Sequence, residues 1–202
     1  LRCYGEKTAA HLAVDPRGVL PVGIVKGLVI SESNDIMMAL EDAFPTHKPL
    51  LPTAGDSRQA RVRPLLQLER RVFSVWFSWL TSRQDMSEDM DRVLRQVDSE
   101  LGSDSQGPYF LGGDISIVDI MFAPFLERAA ASLPYYKGFV VRCQRYPHLL
   151  QWYEAMDGRI ETYAGIKSDY YTHCMDLPPQ IGRCWRAQGA TAYSDEIDAF
   201  LP

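Results

Sequence analysis

Apolar residues change their spacing once along this chain. They first come as two short runs, Val22–Val25 and Leu28–Ser31, with only Lys26 and Gly27 between them. A two-residue loop holding a glycine predicts a tight hairpin, because glycine supplies the positive φ that such a turn requires. Pro21 stands just ahead of the first run, where its missing N–H breaks no ladder bond inside a strand. From Glu32, Ser33, Asn34 and Asp35 onward the spacing becomes helical, with Ile36, Met37, Leu40 and Phe44 on one face. Pro45 and Pro49 end that helix.

Beyond Pro52 every amphipathic segment has helical period. A helix is expected from about Ser57 to Thr81, with Val62, Leu65, Leu66, Val72, Phe73, Trp76, Phe77 and Leu80 on a broad apolar face. Pro64 must kink it or open a second piece. A second helix runs from about Ser87 to Leu101, with Gly102 placed to follow its C terminus. In "DISIVDIMFAPFLERA", Ser116 and Asp119 form a capping box, Ile115 and Ile120 a hydrophobic staple, and Pro124 predicts a bend. Arg145 to Met156 is amphipathic again, and Met175 to Pro202 reads as a tail packed on the surface. Trp76, Trp79, Trp152 and Tyr153 read as core and interface filler. Pro45 to Ser57 is rich in Pro, Gly and small polar residues and reads as a linker. The organisation expected is a mixed α/β domain over 1–52, an all-helical domain over 57–177 and an extension over 178–202.

Composition narrows the function classes. The 202 residues are 46% hydrophobic and 23% charged, ordinary for a globular chain. A net charge of −5 and a pI near 5.4 give no electrostatic reason to expect nucleic acid. No apolar run approaches the roughly 18 residues of a membrane helix. Cys3, Cys143, Cys174 and Cys184 form no metal-ligand spacing, so no metal is expected. They read as reduced thiols of a cytoplasmic or organellar stroma compartment.

Three segments together resemble the soluble glutathione transferases. "VDPRGVLPV" is similar to the family's N-P-x-G-x-[VL]-P segment, with Asp15 where Asn is usual. "ESNDIM" is similar to its E-S-x-x-I element, and "FLGGDISIVDIMFAPFLERA" to its capped sixth helix. "KPLLP", "PFLER" and Lys7 look most like the omega and dehydroascorbate-reductase branch. The fold class this implies is mainly α: a truncated thioredoxin-like α/β N-terminal domain followed by an all-α C-terminal domain.

The resemblance also implies a site. The Leu20–Pro21 bond would be cis, turning the Leu20 backbone into a cleft where the extended tripeptide glutathione pairs as an added strand. The helix starting at Ser33 would offer its N–H groups and dipole to the γ-glutamyl carboxylate, with Ser33 adding a hydroxyl. Glu32 would face the ligand's ammonium group and Lys7 its glycyl carboxylate. Each residue has an ordinary reading as well: Ser33 an N-cap, Glu32 a first-turn acid, Pro21 a trans proline, Lys7 a solvated lysine.

"LRCYGEK" is similar to the end of the family's second strand. The first strand and the helix carrying the catalytic nucleophile would then precede Leu1, and Cys3 would not be catalytic. Glutathione is thus expected as co-substrate, together with a small electrophilic or oxidised substrate, for transfer or thiol-reductase chemistry. The alternative is a non-catalytic binding or scaffold subunit of a larger complex. A homodimer is expected, with Arg61 to Leu68 as its candidate face.

Overall fold

The computed structural model describes residues 6–53, 55–103, 107–166 and 184–199. The chain divides into two compact units, Leu1–Gln59 and Ala60–Pro202. Cys3, Cys174 and most of the "DLPPQIGRCWRAQG" stretch lie outside the described residues.

In the first unit, Thr8 caps a short helix, α1 (Ala9–Val14), by accepting the His11 N–H at 3.3 Å. Its six residues are too few to show a period, and the sequence pattern did not predict it. Asp15 then opens a turn: its carbonyl accepts the Gly18 N–H at 2.9 Å and its side chain the Arg17 N–H at 3.0 Å. Pro16 suits the second position of that turn, and Gly18 supplies φ +66°. Strands β1 (Val22–Val25) and β2 (Leu28–Ser31) follow as an antiparallel pair, with Val22 opposite Ser31. Lys26 and Gly27 both have positive φ, 48° and 80°, the pattern of a type I′ hairpin. Helix α2 (Ser33–Ala43) packs over Gly23, where an added Cβ would lie 3.4 Å from Ile36. Glu41 holds the chain that leaves α2 by accepting the Leu50 and Leu51 N–H groups at 2.8 and 3.2 Å.

The second unit is helical: α3 (Gln59–Thr81), α4 (Ser87–Leu101), α5 (Ile117–Lys137), α6 (Pro147–Arg159), α7 (Tyr163–Ile166) and α8 (Thr191–Asp198). Among the described residues beyond Gln59 the only β feature is an isolated bridge, Tyr109 to Gly112. Helix α3 continues through Pro64, so no second piece begins there, and α5 continues through Pro124 and Pro134. The four expected aromatic residues, Trp76, Trp79, Trp152 and Tyr153, are all buried. Leu65 and Leu68 are buried within this same unit, so the exposed part of the Arg61–Leu68 segment is Arg63, Pro64 and Gln67.

Polar contacts fasten the helix ends. The Asp119 carboxylate accepts the Ser116 N–H at 2.9 Å, closing the expected capping box. Asp98, on α4, caps α6 from a distance by accepting the His148 and Leu149 N–H groups at 2.8 and 2.9 Å. Gly102 does follow α4, but in right-handed conformation (φ −76°), not the left-handed one that would explain a glycine. Its reason is tertiary, since an added Cβ would sit 2.7 Å from the His148 ring. The described part of the tail is tied to α3 and α5, with the Trp185 N–H on the Leu80 carbonyl at 2.9 Å and Ala187 on Tyr136 at 2.7 Å. Among the described residues no helix is long and apolar enough to cross a membrane.

Candidate functional site

The five expected residues, Lys7, Leu20, Pro21, Glu32 and Ser33, all fall in the first unit. The hairpin brings four of them to one corner. Val22 pairs with Ser31, so Pro21 and Glu32 stand one step beyond the same end of the ladder. Opposed residues of an antiparallel pair are only about 4.5–5.5 Å apart at Cα. Leu20–Pro21 is cis, as expected. Leu20 is half-buried, and its backbone has no hydrogen bond to another described residue.

Glu32 carries the least ordinary backbone of the corner, with φ 75° and ψ 123°. For a residue other than glycine such a conformation costs about 1–3 kcal/mol and persists only where the surroundings impose it. It turns the chain from β2 directly into α2, and its carbonyl accepts the Ile36 N–H at 3.0 Å. Glu32 therefore occupies the cap position and Ser33 the first helical position, so the ordinary reading of Ser33 as N-cap does not hold. Neither side chain is spent on capping, and both are exposed. The N–H groups of Ser33, Asn34 and Asp35 have no acceptor inside the helix, which leaves the positive end of α2 open.

Lys7 reaches the same neighbourhood from the chain before α1. An added Cβ on Gly18 would lie 3.3 Å from Lys7 Cγ, so the stem of Lys7 runs beside the Asp15–Gly18 turn. The turn is held internally by His11 Nε2, 3.0 Å from the Val19 carbonyl.

The sequence pattern missed Arg17 and Ser31. Arg17 Nε and Nη2 meet the two Asp15 oxygens at 3.0 and 3.1 Å, and Nη2 also reaches Ser31 Oγ. The hydrogen bond from Arg17 pulls the Asp15 carboxyl below its usual range, although its burial opposes this. Asp-Pro-x-Gly was a readable turn signal. Nothing local announced the partner on β2.

A cavity of about 670 Å³ lies elsewhere. Residues of the helical unit line it, among them Leu101, Gly102, His148 and Arg159, and none of the five candidates does. Volume alone is a weaker guide than the convergence of backbone and charge at the hairpin corner.

Comparison with known proteins bears on the fold and family. The family described as "Glutathione S-transferase, C-terminal domain" matches residues 81–155. Protein IN2-1 homolog A of Oryza sativa subsp. japonica is 27% identical over 153 residues, 76% of this chain and 61% of that protein. Glutathione S-transferase L3 of Arabidopsis thaliana is 28% identical over 156 residues, 77% of this chain and 63% of that protein. In sequence and in fold the chain resembles the glutathione transferases, and residues 81–155 match that family's C-terminal domain. A glutathione transferase fold agrees with the crystal structure of rice GST1 in complex with glutathione: TM-score 0.70, 24% identity, 88% of this chain and 79% of that one. The mainly helical architecture, with its small α/β unit, fits that family. The chain spans about three fifths of the length of these curated relatives, 61% and 63%.

Proposed function

We propose that the chain binds glutathione at the hairpin corner and serves glutathione-dependent transfer or thiol-reductase chemistry on a small electrophilic or oxidised substrate. One observation carries the reading. The Val22–Ser31 pair sets the cis Leu20–Pro21 bond and the Glu32–Ser33 helix start side by side. An extended peptide needs such an arrangement if its backbone pairs with Leu20 while its charged end reaches α2. The γ-glutamyl carboxylate would lie on the open N–H groups of α2, its ammonium on Glu32, and the glycyl carboxylate toward Lys7. No described residue is assigned as nucleophile. Membership of a homodimer is part of the same proposal, and light scattering at micromolar concentration tests it.

Isothermal calorimetry with glutathione tests the binding. Glu32→Ala or Ser33→Ala each removes a charge-assisted contact, so affinity falls about tenfold to a hundredfold. Unchanged affinity in both variants refutes the assignment. If glutathione binds but neither an electrophile nor a disulfide is turned over, a purely binding role replaces the catalytic one.

A further inference from the structure

Arg17 touches both sides of the corner. Its guanidinium is anchored on Asp15, whose side chain is 4% exposed, while its own side chain is 66% exposed as it crosses to Ser31. Ser31 closes β2 and precedes Glu32, whose backbone must be imposed from outside. On the helix side, the imposed contact is the Ile36 N–H on the Glu32 carbonyl. On the strand side, it is the pairing with Val22 and the bond from Arg17. Glu32 also lies within the electrostatic reach of Arg17. The guanidinium is occupied by both Asp15 oxygens.

We propose that Arg17 is a positioning residue of the glutathione site, a clamp from the Asp15 turn to Ser31 that sets the Glu32 carboxylate and keeps it open to the ligand's ammonium group. This rests on the glutathione reading above and goes beyond it by assigning a residue that acts only through Glu32. Arginine suits the role because its planar fork spans several oxygens at once. A lysine ammonium, a point charge, does not.

The test uses the full chain and two ligands, glutathione and its analogue lacking the γ-glutamyl amino group. Ser31→Ala removes the far end of the clamp and leaves the Asp15–Arg17 pair intact. It should weaken glutathione about fivefold to tenfold and the analogue less than about twofold, because only glutathione uses Glu32. Arg17→Lys should do the same. Equal losses for both ligands mark a merely structural contact and overturn the inference. So does unchanged binding of both variants beside a wild-type chain that binds glutathione. A wild-type chain that does not bind glutathione overturns the site reading itself, and this inference with it.

Discussion

Asp119→Ala should be among the most damaging single changes in the helical unit. The carboxylate carries four donors on two oxygens. Oδ1 accepts the Phe110 N–H at 3.1 Å and the Trp152 indole N–H at 2.9 Å. Oδ2 accepts the Ser116 N–H at 2.9 Å and the Ser116 hydroxyl at 2.6 Å. All three partner residues are buried. With alanine the hydroxyl can turn away, but the three N–H groups cannot. At about 1–3 kcal/mol for each buried unsatisfied group, the gross loss is roughly 3–9 kcal/mol. Removing a carboxylate that burial already disfavours, as the upward push on its pKa shows, returns part of this. The net expectation is about 3–5 kcal/mol, a large share of a typical domain's 5–15. Asparagine is the informative second variant. It keeps one oxygen, so one pair of donors survives whichever way the amide turns, and the loss is about 2 kcal/mol.

Urea unfolding followed by tryptophan emission reads this directly. The four tryptophans, Trp76, Trp79, Trp152 and Trp185, all lie beyond Ala60, so the signal reports the helical unit alone. The midpoint should fall with the slope unchanged. A loss below about 1 kcal/mol for Asp119→Ala, or equal losses for Ala and Asn, would refute the reasoning.

Two further changes are expected. Gly102→Ala should lower stability by about 1–2 kcal/mol, although alanine is the better helix former, because its Cβ strikes the His148 ring that Asp98 holds at 3.1 Å; thermal unfolding that matches or exceeds wild type would contradict this. Acid should loosen the turns of the first unit. The Arg58 hydrogen bond holds Asp56 down to about 2, and Arg17 likewise lowers Asp15. A lowered folded value means the stabilisation is complete above the unfolded value of about 3.9 and is lost as pH falls through the folded one. Amide shifts of Asp15, Arg17, Gly18 and residues 56–59 should therefore move with midpoints below 3.9, and midpoints at or above it would sink the assignment.

What was legible in the sequence was whatever depends on near neighbours. The hairpin followed from Lys26 and Gly27, and the start of α5 from Ser116 and Asp119. The helices of the second unit followed from apolar residues that recur at helical spacing, most of which are buried, whereas Leu40 and Phe44 of the α2 pattern are exposed. What escaped depends on contacts between distant segments. Asp119 read as a cap for Ser116, but its bonds to Phe110 and Trp152 join three segments, and no spacing rule contains them. Gly102 was assigned to the correct place for the wrong reason, because the His148 ring that excludes a side chain lies 46 residues further along. Pro64 read as an interruption, yet α3 absorbs it at an exposed position. Arg17 looked like any exposed arginine in a turn until Ser31 came to lie against it.

The described residues of the two units differ in what they bury, and that bears on the site. Among the described residues every core hydrophobic side chain lies at or beyond Val62, whereas every large exposed one lies between Leu12 and Phe44. Ile24, Leu28 and Phe44 are 61%, 69% and 60% exposed among the described residues. Among the described residues of that unit, only His11 and Asp15 are buried, and both are polar. The polar contacts described in the first unit are discrete bonds: His11 on Val19, Asp15 on Arg17, Arg17 on Ser31, and Glu41 on Leu50 and Leu51. Such bonds contribute about 0.5–1.5 kcal/mol each, and more when charged. A ligand present at a hundred times its Kd adds about 2.7 kcal/mol, as much as two or three of them. The strained Glu32 corner is held by contacts of that size, so a bound peptide can add to it an amount comparable with several of them. That is why Ser31→Ala, a small change to a half-exposed hydroxyl, can be felt in ligand affinity, while a change of similar size on the surface of the helical unit should not be.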